Sequence, residues 1–258
     1  MTARRLVDLA VSAAGLVLLS PLLVVVAIAI RLGSRGPVLY RTERVGLHGE
    51  LFTMHKFRTM YVDQGPDPER LTRPADPRIT LLGAWLRRLK VDEFPQLWDV
   101  LRGKMSLVGP RPEDPYYVRV HFTPGDLETL RVPPGLTSPA TLYDYTHGDE
   151  VLAGGDTERR YVERLLPARM ALETIYLRDA GFLYDLRILL RTAAVMAWVA
   201  LGRRRFPEPR EMREVREVRA RGLAERARGS ATHTESASSV GESSPVNSIS
   251  RRAAEPQR

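Results

Sequence analysis

The sequence contains no cysteine, which excludes disulfides and thiolate metal sites and is compatible with a reducing cytosolic face. Lysine is nearly absent too: Lys56, Lys90 and Lys104 stand against 36 arginines. A lysine kept against such a bias points to a need for its compact point charge. The five histidines show no metal-ligand spacing, and there is no Walker-type glycine-rich lysine loop and no GxSxG elbow. An Asp-x-Asp metal pair is missing as well, because Asp144 and Asp149 lie too far apart and Asp67-Pro68-Glu69 falls in a proline-rich loop.

Charge of one sign is present but misplaced for nucleic-acid binding. The formal net charge is +8 over 258 residues, and +5 of it falls between Arg203 and the C-terminus. The remaining 202 residues carry only +3, without aromatic-basic stacking surfaces or zinc-finger spacing. No nucleic-acid partner is expected.

One long apolar run does occur. Leu9 to Ile30 holds 22 residues without a charge, enough at about 1.5 Å per residue to cross a ~30 Å hydrocarbon core. Ser20-Pro21 sits in its middle, where the proline removes an N–H and leaves the Val17 carbonyl in need of another partner, such as a serine hydroxyl. Both flanks are basic, with Arg4 and Arg5 before and Arg31, Arg35, Arg41 and Arg44 after, which a single crossing cannot reconcile with the positive-inside rule. A re-entrant hairpin that turns at Ser20-Pro21 satisfies every term. A kinked transmembrane helix and a signal peptide ending near Ala27-Ile28-Ala29 are the competing readings.

Downstream the pattern turns extended. Val38-Leu39-Tyr40 and Leu51-Phe52-Thr53-Met54 flank a turn at Gly46-Leu47-His48-Gly49. Short helices are expected over Ile79 to Leu89 and Phe94 to Leu101, and a longer one over Glu158 to Leu177 with an irregularity at Pro167. Phe182 to Leu201 reads either as a helix lying in the membrane interface or as a buried core helix. The stretch from 203 to 258 reads as a disordered tail, first basic and then serine-rich.

The chemistry-bearing residues gather in Leu86-Arg87-Arg88-Leu89-Lys90-Val91-Asp92-Glu93-Phe94-Pro95-Gln96. Asp92 has a structural explanation as a helix N-cap, with Glu93 favouring the helix dipole. It also has a chemical one: a carboxylate nucleophile beside a second carboxylate, framed by Arg87, Arg88 and Lys90. Close cations lower a carboxylate pKa and attract a diphosphate, and paired carboxylates suit Mg²⁺. Lys56 and Arg58 are two apart on a strand and share a face. Arg111, fenced by Pro110 and Pro112, reads either as a guanidinium fork presented to phosphate or as a surface arginine in a proline turn.

These blocks occur in an order that resembles the bacterial sugar transferases, the monotopic polyprenyl-phosphate phosphoglycosyl transferases. The resemblance covers about three quarters of the chain. It runs through Arg5-Leu6-Val7-Asp8, Gly36-Pro37-Val38, Glu43-Arg44-Val45-Gly46, His55-Lys56-Phe57-Arg58-Thr59-Met60 and Asp76-Pro77-Arg78-Ile79-Thr80. It continues through Asp92-Glu93-Phe94-Pro95-Gln96-Leu97, Met105-Ser106-Leu107-Val108-Gly109-Pro110-Arg111-Pro112 and Tyr184-Asp185-Leu186-Arg187-Ile188-Leu189. The resemblance implies that Asp92 attacks the sugar-bearing phosphate of a UDP-sugar, releasing UMP and forming a covalent phosphosugar. Polyprenyl phosphate, usually undecaprenyl phosphate, then takes the sugar phosphate. It further implies that Glu93 assists with Mg²⁺ or the acceptor, and that Lys56, Arg87 and Arg111 handle phosphate, a role extended to Arg58 by its place on the Lys56 face. Asp92 and Glu93 are the candidate Mg²⁺ ligands, with which of them holds the metal left open. One departure stands out: Gly135-Leu136-Thr137-Ser138-Pro139-Ala140-Thr141 occupies the place of the family's Gly-Ile-Thr-Gly-Trp-Ala-Gln, in a loop expected to border the nucleotide or sugar.

The expected fold is therefore an α-rich α+β protein, monotopic in the bacterial plasma membrane with its active site facing the cytosol. It comprises a helix-break-helix hairpin over 1–35, a catalytic domain over 36–202 with a small β-hairpin, short active-site helices and interfacial amphipathic helices, and the tail over 203–258. The resemblance leads us to expect the minimal catalytic form of the family. The expected partners are the UDP-sugar, polyprenyl phosphate and membrane lipid, with a homodimer left open. A non-catalytic membrane scaffold and a lipid-diphosphate phosphodiesterase are the alternative functions.

Overall fold

A computed structural model describes residues 3–62, 70–73 and 75–217. The apolar run forms one helix, α1 (Ala3–Gly33), with Pro21 inside it. It is the only helix among the described residues long and apolar enough to cross a membrane. The expected interruption at Ser20-Pro21 does not separate two helices. The Ser20 hydroxyl donates to the Val17 carbonyl at 2.7 Å, supplying the partner that the proline removes, so the helix continues. One stripe of α1 faces protein: Asp8, Ser12, Val26 and Ile30 are buried, and Leu16, Leu19, Leu23 and Ala27 are partly covered. The opposite face leaves Val11, Val17, Leu18, Val24, Val25, Ile28 and Leu32 exposed, an apolar surface suited to lipid.

Polar side chains pin both ends of α1 to the same domain. Near its start, Arg5 donates to the Val100 and Leu101 carbonyls at 2.7 and 3.0 Å, and Asp8 accepts from Ser106 Oγ and Leu107 N at 2.8 and 3.0 Å. At its end Arg58 donates to the Ile30, Ser34 and Arg35 carbonyls and to Ser34 Oγ.

The expected hairpin is present as β1 (Leu39–Val45) and β2 (Leu51–Phe57), antiparallel with Tyr40 opposite Lys56. Next come α2 (Leu81–Arg88), whose N-cap Thr80 accepts from Gly83 N at 2.9 Å, and α3 (Gln96–Leu101). An unexpected parallel pair, β3 (Ser106–Val108) with β4 (Gly135–Thr137), brackets α4 (Pro115–His121). The helix α5 (Pro139–Leu152), also unexpected, starts at the family-departing segment with Ser138 as its N-cap. The long helix expected over Glu158 to Leu177 is divided into α6 (Thr157–Arg160), a π-helical turn (Tyr161–Leu165) and α7 (Leu166–Asp179). Pro167 sits in the first turn of α7, where its missing N–H is least costly. The last labelled helix is α8 (Phe182–Ala200).

Phe52, Met54, Leu97, Val100, Leu107, Leu142, Tyr176 and Ile188 form the core beneath the β-hairpin. A second cluster centred on Tyr161, Leu165, Met170 and Leu172 also includes Met212 and Val215. Residues 210–217 are helical. The ordered fold therefore extends past 202, correcting the expected start of the tail: apolar Met212 and Val215 have a core to enter. Residues 218–258 lie outside the described residues, as do 63–69 and 74 of the proline-rich loop.

Candidate active site

Three short segments meet at one cleft. The strand β2 delivers Lys56, the end of α2 delivers Arg87, and a 3₁₀ turn (Val91–Glu93) carries Asp92 and Glu93. Lys90 makes the sharp corner between α2 and that turn in the left-handed region, at φ 57° and ψ 18°. For a non-glycine residue this costs on the order of 1 kcal/mol, which the surrounding contacts hold in place. Gly83 lets α2 seat on the strand end, since a Cβ there would lie 2.0 Å from the Thr59 carbonyl oxygen. Arg111 enters from the opposite side on its proline-bracketed turn.

The two carboxylates have different surroundings. Glu93 is buried and its Oε1 takes Lys56 Nζ at 2.9 Å and Arg111 Nη2 at 3.3 Å, with Lys90 Nζ at 3.8 Å. Burial pushes its pKa up, but Lys56, Lys90 and Arg111 prevail and hold it well below the usual carboxylate range. Asp92 is 6% exposed, and its buried Oδ1 has no hydrogen-bond partner. Its pKa is pushed up, first by burial and then by the Glu93 charge, against the pull of Lys56, Lys90 and Arg87. The expectation that nearby cations keep the nucleophile's pKa low is thus met at Glu93 rather than at Asp92, because the direct ion pairs fall on Glu93. The helix-cap reading of Asp92 also fails: the N-cap of α3 is Pro95, and Asp92 lies inside the preceding turn.

The cations divide likewise. Lys56, Arg58, Arg87 and Arg111 all line the cleft with both carboxylates, but they use their donors differently. Arg87 donates through Nε to Thr59 Oγ1 at 2.8 Å. Arg58 borders the cleft but spends its guanidinium on the carbonyls at the end of α1, so it acts as a structural tie. It follows the last residue of β2, and the strand alternation that placed it beside Lys56 no longer governs its direction. Two wall residues carried no sequence signal of their own. Asp144 Oδ2 lies 3.8 Å from Arg111 Nε, and the Tyr145 ring carries Lys90 Nζ 4.9 Å from its centroid. Both are placed by α5.

Among the described residues no three His, Cys, Asp or Glu side chains cluster as a self-sufficient metal site. The bare Asp92 Oδ1 beside Glu93 is nevertheless the kind of donor set Mg²⁺ takes, which commonly uses one or two carboxylates and completes its shell with water and substrate phosphates.

The site is thus a buried carboxylate pair within a ring of cations, in a chain whose first helix has an apolar outer face. Sequence comparison agrees: the family description "bacterial sugar transferase" matches residues 1–199, and the chain belongs to that family. It is 39% identical over 207 residues, 74% of its own length, to an undecaprenyl-phosphate glucose phosphotransferase of Komagataeibacter xylinus. Over 195 residues, 73% of its length, it is 37% identical to a UDP-glucose:undecaprenyl-phosphate glucose-1-phosphate transferase of Caulobacter vibrioides. It is also 32% identical over 208 residues, 74% of its length, to the exopolysaccharide production protein ExoY of Rhizobium meliloti. The chain spans 35%, 67% and 83% of those three proteins respectively.

Proposed function

We propose that this protein transfers a sugar 1-phosphate from a UDP-sugar to undecaprenyl phosphate at the cytosolic face of the bacterial plasma membrane. The observation that carries this reading is the buried Asp92 Oδ1, left without a partner while Glu93 absorbs the cations. An unpaired buried carboxylate is costly to keep, and a scaffold has no use for it. Family membership and the names of the two phosphotransferase relatives supply the substrate class, with UDP-glucose as the first donor to test.

The chemistry follows from the residues. Asp92 Oδ1 attacks the sugar-bearing phosphorus, the bond from that phosphorus to the UMP oxygen breaks, and UMP departs with the electron pair. The sugar phosphate is then held as an acyl phosphate on Asp92. A phosphate oxygen of undecaprenyl phosphate attacks the same phosphorus, the bond to Asp92 breaks, and the free carboxylate returns. Lys56, Arg87 and Arg111 surround the position where phosphate charge accumulates, and a low-dielectric pocket strengthens their effect. Lys56 and Arg111 reach the phosphate by exchanging Glu93 for it. Asp92 and Glu93 would hold Mg²⁺, which when bound neutralises diphosphate oxygens and eases nucleotide departure.

Same-side topology belongs to this reading. It is supported by the basic flanks of α1 and by the polar ties that fix both helix ends to one domain. Purified protein given UDP-glucose, Mg²⁺ and undecaprenyl phosphate should yield undecaprenyl diphosphoglucose and UMP in equal amounts by mass spectrometry. Formation of free glucose 1-phosphate without lipid product would identify a hydrolase instead.

A further inference from the structure

A carboxylate that the mechanism does not use sits directly behind Arg111. Glu173, on α7, is 1% exposed. Its Oε1 accepts the Arg111 backbone N–H at 3.0 Å and the Ser138 hydroxyl at 2.8 Å, while Oε2 is buried with no partner. Burial pushes its pKa up to about 7, against the pull of the bonds from Arg111 and Ser138 and of the Arg169 charge.

The two donors belong to the two walls of the cleft. Arg111 holds the turn after β3, whose guanidinium lies between Glu93 Oε1 at 3.3 Å and Asp144 Oδ2 at 3.8 Å. Ser138 is the N-cap of α5, accepting from Thr141 N at 2.9 Å, and α5 carries Asp144 and Tyr145. The backbones of these walls touch between the turn after β3 and the two ends of β4: Gly109 N donates to the Thr137 carbonyl at 3.0 Å, and Gly135 N to the Pro110 carbonyl at 2.8 Å. A Cβ on Gly135 would lie 2.1 Å from Gly109 N. Beyond that contact, Glu173 is a shared anchor for both walls.

We propose that Glu173 is a positioning residue for donor binding, a single buried acceptor that fixes the Arg111 turn and the start of α5 relative to each other. It sets where the Arg111 guanidinium meets the donor's diphosphate. The inference rests on the proposed transferase reading and adds to it a residue that touches no substrate.

The test is steady-state kinetics with UDP-glucose on full-length Glu173→Ala, Glu173→Gln and Ser138→Ala, normalised to folded protein. Misplacing a phosphate-binding side chain by about 1 Å can cost about 10²-fold. Glu173→Ala should therefore raise KM for the donor about tenfold or more, with a smaller change in kcat. Ser138→Ala, which leaves the Arg111 bond intact, should fall between it and wild type. Glu173→Gln keeps an oxygen acceptor and should restore KM to within about threefold, a rescue that a requirement for the charge would not allow. An unchanged KM in Glu173→Ala, or a glutamine variant as impaired as the alanine one, would overturn the proposal. Asp92→Asn in the same assay separates the two failures: activity there sinks the transferase reading itself, whereas an inactive Asp92→Asn beside an unaffected Glu173→Ala sinks only this inference.

Discussion

Asp92 is stabilised by no direct contact at Oδ1, and that has a consequence for stability as well as for chemistry. Its pKa in the folded protein is raised, so the folded state holds the proton more tightly than the unfolded chain does. Stability is then lost as pH rises from the ordinary aspartate range through the raised pKa of the folded state. Asp92→Asn should melt no lower than wild type at pH 7.5, and any advantage should shrink as pH is lowered. Had Asp92 been a helix cap, removing the charge would instead have been neutral or costly, up to about 1 kcal/mol. Thermal unfolding in detergent at several pH values distinguishes the two.

Arg58 makes the complementary case. Its guanidinium serves three backbone carbonyls and one hydroxyl at the end of α1. Arg58→Ala should lower stability by about 3 kcal/mol while leaving donor KM near wild type, because the loss falls on buried carbonyls and not on substrate. A donor KM raised without loss of stability would return Arg58 to the phosphate-binding set.

At the scale of elements, α1 shows what was legible and what was not. Its length, its uncharged centre and the role of Ser20 beside Pro21 followed from hydropathy and backbone hydrogen bonding. The continuity of the helix did not, because one side-chain hydroxyl repairs the bond that proline deletes. Nor did the long-range ties of Arg5 and Asp8, which depend on residues about a hundred positions away. Asp8→Ala should destabilise by about 2 kcal/mol by orphaning the Leu107 N–H, seen as a lower melting temperature. Topology can be tested cleanly because the chain has no native cysteine. Single cysteines replacing Ala3 and Arg35 should both resist an impermeant thiol reagent in intact cells, and both react after permeabilisation. External labelling of either one would contradict the same-side arrangement.

Across the whole molecule, the site was legible wherever it is local in sequence. The pair Asp92-Glu93 with Arg87 and Lys90 lies within seven residues, and the β-hairpin announces itself by alternation and turn glycines. The walls built by β3, β4 and α5 were not legible, since a parallel pair of three-residue strands leaves no periodicity and α5 has no clear apolar stripe. The C-terminal boundary shifted for a similar reason: Met212 and Val215 are two isolated apolar residues in a charged segment, yet both enter the core. Ending the chain after residue 217 should therefore leave turnover in membranes nearly unchanged, whereas ending it after 209 should cost stability through exposure of the cluster around Leu165 and Met170. Comparing expression, melting and turnover of the two truncations checks this.

If Asp92 becomes covalently bonded to the sugar phosphate, UMP release is independent of the lipid acceptor. Enzyme mixed with UDP-glucose and Mg²⁺, without undecaprenyl phosphate, should give a burst of UMP equal to the amount of active enzyme. Peptide mass spectrometry should place a hexose phosphate on Asp92, and Asp92→Asn should show neither burst nor adduct. A full burst in Asp92→Asn, or an adduct mapped to any other residue, would contradict the account.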